Sequence, residues 1–236
     1  MKTTSWIKQC KGAALALAVS FGLTYCQSTK STFTLEQKGD SLTIVHIIHP
    51  THYILLPIEE EADESQVRLD TGNATDTDMD IRLAQTKVDY FPFALPADTK
   101  AATLRIQRKS KDALCWEEIR LSDTFDTANT DKFRPVYHHT PLYGWMNDAN
   151  GLVYKDGEYH LYYQHNPYGS KWGNMHWGHS VSKDLMHWEH LAPAIARDTL
   201  GHIFSGSSIV DQEDVAGYGA GSILAYYTSA SDKNGQ

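Results

Sequence analysis

Leu152-Val153-Tyr154-Lys155-Asp156-Gly157-Glu158-Tyr159-His160-Leu161-Tyr162-Tyr163-Gln164 is the stretch that decides the fold. Two short runs rich in branched and aromatic residues, 152–154 and 159–164, flank Lys155-Asp156-Gly157-Glu158. Asp-Gly between such runs is a strong hairpin signal, because both residues tolerate the positive φ of a tight turn. The pattern then repeats: His176–Ser182 and Met186–Leu191 flank Lys183-Asp184-Leu185. Four strands joined by short turns form one antiparallel sheet, the unit from which β-propellers are built by radial repetition. A further pair, Ile203–Val210 and Ser222–Ser229, follows. One and a half blades cannot close a ring, so the chain reads as a truncated piece of a longer protein.

Upstream the strands are shorter and less repetitive. Thr34–Leu35 and Ser41–Ile48 surround the turn signal Lys38-Gly39-Asp40, and Tyr53–Ile58 is an apolar run closed by Pro57. Met79–Leu83 and Thr103–Gln107 alternate strictly, the period of a half-buried strand. Many short strands without helical period predict a small β-sandwich-like module over 27–130, giving an all-β chain. Asp123–Lys132, rich in Thr, Asp and Asn, is the expected linker into the propeller start at 131–236. The acidic run Glu59-Glu60-Glu61 with Asp63 and Glu64 reads as a solvated turn, with a calcium loop as the sharper alternative.

With 41% hydrophobic and 21% charged residues, the 236-residue chain carries enough apolar material to fold. Residues 1–26 hold Lys2, Lys8 and Lys11 and no acid, leaving 18 basic against 29 acidic residues beyond them. A surface of that sign excludes nucleic acid as the natural partner and favours a neutral or weakly charged ligand. The basic start, the apolar run Ala13–Leu23 and Thr24-Tyr25-Cys26 form an export signal too short to span a membrane. Cys26 directly after the apolar run resembles a bacterial lipoprotein signal, in which it becomes the lipidated mature N-terminus; cleavage after Gly22 is the alternative. An unlipidated Cys26 could pair with Cys115 in an oxidising compartment. Three cysteines without a Cys-x-x-Cys pair lack the ligand set of a structural zinc site.

The chemistry concentrates around Asn147-Asp148, expected in a loop just before the first blade strand. An aspartate beside an amide that binds hydroxyls, under an indole that excludes water, suits nucleophilic attack at an anomeric carbon. Trp145-Met146-Asn147-Asp148-Ala149-Asn150-Gly151 resembles the Trp-Met-Asn-Asp-Pro-Asn-Gly signature of glycoside hydrolase family 32. Further motifs follow in that family's order: Tyr163-Gln164-His165-Asn166-Pro167, Trp172 with His176-Trp177-Gly178-His179-Ser180, and Phe204-Ser205-Gly206-Ser207. The resemblance covers about Pro135 to Thr228.

The resemblance implies a five-bladed propeller followed by a β-sandwich, and hydrolysis of β-fructofuranosyl linkages in levan, inulin or sucrose with retention through a covalent fructosyl-enzyme. Asp148 would be the nucleophile, Asn147, Gln164 and Ser205 would bind fructose hydroxyls, and Trp172 and Phe204 would form the apolar wall. Such chemistry needs two carboxyl groups and water, with no metal or organic cofactor. Ala149 replaces the usual proline, which loosens the restraint on the preceding residue. The family's acid/base glutamate beside a cysteine and its Arg-Asp-Pro motif do not occur in these 236 residues, so the piece alone is expected to be inactive. The implied location is the outer membrane, as a lipoprotein, or the periplasm of a Gram-negative bacterium, with membrane contact only through the lipid.

Two other functions compete. A fructan-binding surface lipoprotein would keep the pocket without catalysis, and an arabinanase-like furanosidase would share the propeller but not the ordered motifs. His160, His165, His176, His179, His187 and His190 suggest a metal cluster, but their strand alternation beside Trp and Tyr favours edge-filling rings bound to backbone. His138-His139 is expected to order the approach to the first blade. Trp177 and Trp188 read as packing residues between sheets, and Asp211, Glu213 and Asp214 as a solvated loop.

Overall fold

The computed structural model describes residues 31–72, 78–127, 134–231 and 235. The export signal, Cys26 and the second half of the expected linker lie outside the described residues. The first eight strands are β1 (Thr32–Lys38), β2 (Leu42–Ile48), β3 (Tyr53–Ile58), β4 (Ser65–Asp70), β5 (Asp78–Ile81), β6 (Asp89–Ala94), β7 (Ala101–Gln107) and β8 (Arg120–Ser122), with one helical turn, α1 (Cys115–Glu118), before the last. They form a five-stranded sheet of order β1-β2-β7-β4-β5 and a three-stranded sheet of order β6-β3-β8. The alternating faces of Val45/Ile47, Val67/Leu69 and Leu104/Ile106 close on Ile54, Leu56 and Ile58, all at most 8% exposed. Burial of that aliphatic face at about 25 cal/mol per Å² is the main force holding the two sheets together.

Three of these strands and the helix escape sequence reading. Pro92 lies inside β6, which an edge position in its sheet tolerates. Cys115 is fully buried and is the one cysteine among the described residues; burial lifts its thiol pKa to about 12, so it is inert. The acidic run at 59–61 forms a turn, and Glu59 in it also accepts the backbone N–H groups of Gln85, Thr86 and Lys87, which hold its carboxyl well down, at about 2.

The second half contains β9 (Trp145–Lys155), β10 (Glu158–Asn166), β11 (His176–Ser182), β12 (Glu189–Ile195), β13 (His202–Asp211) and β14 (Ser222–Ala230). A four-stranded antiparallel sheet, β12-β11-β10-β9, stands beside the pair β13-β14. The apolar contact between them is small: Tyr162, Trp177 and Ile203, with Val153 and Ile195 against it. Gly151, at φ +57°, permits this approach, since a β-carbon there would lie 2.7 Å from the Trp177 ring and 2.9 Å from Ser208 Oγ.

Two expectations are corrected. The fourth strand begins at Glu189 rather than Met186, because the Asp184 carboxylate accepts the N–H groups of Met186 and His187 and winds that segment into a turn. Asn147 and Asp148 lie within β9, not in a loop before it.

Candidate active site

Register irregularities place the site. Between the pairs His165–Met146 and Tyr163–Ala149, β9 carries two residues, Asn147 and Asp148, opposite the single Gln164 of β10. Between Ile203–Ser229 and Gly206–Tyr227, β13 carries Phe204 and Ser205 opposite the single Thr228. Each is a β-bulge, which bends its strand and re-aims the extra side chain. Four candidate residues therefore sit on two bulges in neighbouring sheets, with Gln164 directly across from one of them.

Ser205 joins the bulges by donating its hydroxyl to Asp148 Oδ2 at 3.0 Å. Asp148 is exposed, as a group that must reach a ligand has to be. The Trp145 indole N–H donates to Asn147 Oδ1 at 2.8 Å, which turns the Asn147 Nδ2 donors away from the indole. Gln164 is 3% exposed and donates its Nε2 to the Ile203 carbonyl at 3.0 Å, so its Oε1 is the end that this bond leaves over. Trp177 donates its Nε1–H to the Phe204 carbonyl at 3.0 Å. Residues 203–205 of β13 thus gather bonds from β9, β10 and β11.

Trp172 comes from the long β10–β11 connection. Its ring lies edge-on to Phe204 at 6.2 Å and stacks on His202 at 5.5 Å, with half of its surface exposed. A half-exposed indole offers a flat apolar face on which a ligand can stack. All six predicted polypeptide site residues other than Cys26 are connected through these contacts. His202 was not anticipated; its only signal was its place two residues before Phe204 on the same strand face.

Burial of the sheet's histidines is the main electrostatic feature. His165 and His176 are at most 5% exposed, and burial pushes their pKa values down to about 4 and about 3. Each holds its neutral ring by donating Nδ1–H to a backbone carbonyl, Trp145 for His165 and Asn174 for His176. His139 and His179 are likewise held near 4 by burial. His139 Nε2 lies 2.9 Å from Ser180 Oγ, and its ring meets Trp188 and Tyr163. Among the described residues no group of three or more His, Cys, Asp or Glu could hold a metal ion.

Two family models match the chain: residues 39–137 fit a model described as a domain of unknown function (DUF4980), and residues 138–236 fit the glycosyl hydrolases family 32 N-terminal domain. The chain is 52% identical over 111 residues to a levanase of Bacillus subtilis (strain 168), covering 45% of this chain and 16% of that protein. It is 44% identical over 105 residues to an extracellular exo-inulinase of Aspergillus awamori, covering 41% of this chain and 20% of that one. A crystal structure of exo-inulinase from Aspergillus awamori aligns with a TM-score of 0.39 and 39% identity over 45% of this chain and 23% of the other. The chain spans about a fifth or less of the length of these curated relatives. Residues 138–236, the part that carries both bulges, are thus similar to the glycosyl hydrolases family 32 N-terminal domain.

Proposed function

We propose that this chain is the N-terminal part of an exported, retaining β-fructofuranosidase acting on fructans or sucrose, with Asp148 as its nucleophile. The observation that carries the reading is the Ser205–Asp148 bond between two bulges, which ties the carboxylate to the strand that also carries Phe204, the ring that Trp172 meets. Asp148 attacks the anomeric carbon of a terminal or internal fructosyl unit while an acid protonates the departing oxygen; water then releases fructose from the enzyme ester. Ser205 holds the carboxylate in its attacking orientation, and Asn147 Nδ2 and Gln164 Oε1 address fructose hydroxyls. A site that grips several hydroxyls rejects sugars that leave those groups unpaired.

Retention needs a second carboxyl group about 5–5.5 Å from the first. That acid/base and the transition-state aspartate are expected outside these 236 residues, so the piece alone is inactive. In this reading the sandwich occupies 27–130, the five-bladed propeller starts at 131, and Cys26 carries the lipid that holds the enzyme at the outer membrane. The non-catalytic alternative, a fructan-binding lipoprotein, draws on Ala149 and makes the opposite prediction for turnover.

The test is fructose release from levan, inulin and sucrose by the full-length protein and by Asp148→Asn. Turnover in the former and its loss in the latter support the assignment; equal activity in both overturns it. Binding of levan without turnover by the wild-type protein would establish the alternative.

A further inference from the structure

The connection between β10 and β11, residues 167–175, has two sides. On one, Trp172 stacks on His202 and meets Phe204. On the other, the same nine residues are held by the N-terminal sandwich. The Glu60 carboxylate accepts the Ser170 N–H at 2.5 Å, and Lys171 Nζ donates to the Glu60 carbonyl at 2.6 Å and to Glu61 at 3.0 Å. Tyr168 stacks on Phe93 at 4.9 Å and packs against the sandwich core. Asn174, 2% exposed, exchanges two hydrogen bonds with the Asp80 backbone, accepting its N–H at 3.0 Å and donating to its carbonyl at 2.7 Å. Arg197 donates to the same Asn174 oxygen at 2.7 Å.

We propose that the sandwich is a positioning element of the sugar site: through Glu60, Glu61 and Asp80 it clamps the 167–175 segment and so sets the angle at which Trp172 meets the ligand. The contacts flank Trp172 in sequence, Ser170 and Lys171 before it and Asn174 after it. Within the blade the segment is held by Asn166, which accepts the Tyr168 N–H at 3.1 Å and donates to the Lys171 carbonyl at 2.8 Å; the sandwich adds anchors on both sides of Trp172 that reduce the freedom of the intervening backbone further. A loop of this length without internal ladder bonds would otherwise sample many conformations. The bonds of Ser170 and Lys171 to Glu60 are charge-assisted, while the Lys171–Glu61 pair, with Glu61 87% exposed, adds little. Gly169 fits it sterically, since a β-carbon there would lie 3.2 Å from the Glu60 carboxylate. The sandwich thereby acquires a task in recognition beyond its own folding, and Glu60 and Glu61 act through Trp172 without touching the substrate.

The kinetic part rests on the fructosidase reading, so the experiment has one arm that does not. In the full-length protein, Glu60→Ala with Glu61→Ala is compared with Glu60→Gln with Glu61→Gln, which keeps acceptor oxygens, and with Lys171→Met from the opposite side of the seam. Backbone amide exchange of residues 168–174 is expected to accelerate about tenfold in the alanine pair and in Lys171→Met, and to return most of the way in the glutamine pair. KM for levan or sucrose is expected to rise about three- to tenfold with kcat held within about twofold, because positioning of a stacking wall acts on binding. Unchanged exchange overturns the clamp. Faster exchange with unchanged KM overturns its role at the site. Should the wild-type protein prove unable to turn over fructosides, KM is replaced by the dissociation constant for levan; a matching rise supports the clamp and no change overturns it.

Discussion

The two halves of the chain are both built from antiparallel strands, yet their interiors differ in kind. Among the described residues the sandwich interior is a continuous aliphatic cluster, with Val45, Ile54, Val67, Leu83 and Leu104 at 0% exposed. The second half buries a smaller apolar cluster, Tyr162, Trp177 and Ile203, with Leu161, Tyr163, Met175 and Val181 also buried, and beside these Asn150, Gln164, His165, Asn166, Asn174, His176 and Ser180. Apolar burial is non-directional and tolerant, so it suits a module that has only to stay folded. Buried polar groups are stable only when each finds its partner, so they specify one arrangement. The blade gives up apolar burial for that specificity, and the bulges that carry Asp148 and Ser205 depend on it.

The contrast can be broken at several points. Asp148→Asn in the full-length protein is expected to lower kcat for fructose release by at least about four orders of magnitude with little change in unfolding, as removal of a nucleophile does. In the sandwich, Leu104→Ala should do the reverse, costing about 3 kcal/mol in urea unfolding by leaving a cavity where the residue is fully buried, with kcat retained below the melting range.

The pH response separates the halves further. His165 and His176 bind protons in the unfolded chain near pH 6.5 but in the folded sheet only near 4 and 3. Between pH 6.5 and 4 the unfolded state therefore holds more protons, and blade stability falls as pH falls through that window, by on the order of 2 kcal/mol per ring. In the sandwich, Glu59 has its carboxyl lowered from 4.5 to about 2, so its contribution is present above 4.5 and is lost only as pH drops below that. Urea unfolding at pH 7, 5.5 and 4.5, followed by amide exchange in β10 and β11 for the blade and in β2 and β7 for the sandwich, checks the order; simultaneous loss would contradict it.

Smaller effects sharpen the site. Trp172→Ala should raise KM about tenfold, on the order of 1.4 kcal/mol, with kcat nearly kept, because the indole is a wall and takes no part in bond making. Ala149→Pro should change kcat by less than about threefold. Position 149 is exposed, on an edge strand and directly beside a bulge, where a missing N–H is tolerated.

Much of the fold is legible in local pattern. The hairpin at Asp156-Gly157 lies where the turn residues put it, and His176–Ser182 is a strand with the bounds read for it beside the turn signal Lys183-Asp184-Leu185. Short strands with a proline or few apolar residues, such as Asp89–Ala94 and Arg120–Ser122, carry too weak a period to be read; their pairing with β3 makes them strands. The acidic run 59–61 is the turn that the sequence suggests, but its partners are illegible for a related reason. Its partners lie about 26 residues away at Gln85–Lys87 and about 110 residues away at Ser170–Lys171, beyond any local signal.

By itself the sequence determined the all-β character, the order of the motifs and which carboxylate is the candidate, since these depend on residue type and short-range spacing. Tertiary structure alone decided how the motifs meet. A bulge is one extra residue relative to a partner strand, so Asn147-Asp148 against Gln164 and Phe204-Ser205 against Thr228 exist only once the strands pair. The same holds for the seam at Glu60, Asp80 and Asn174, where hydrogen bonds link residues that approach one another only after both sheets have formed.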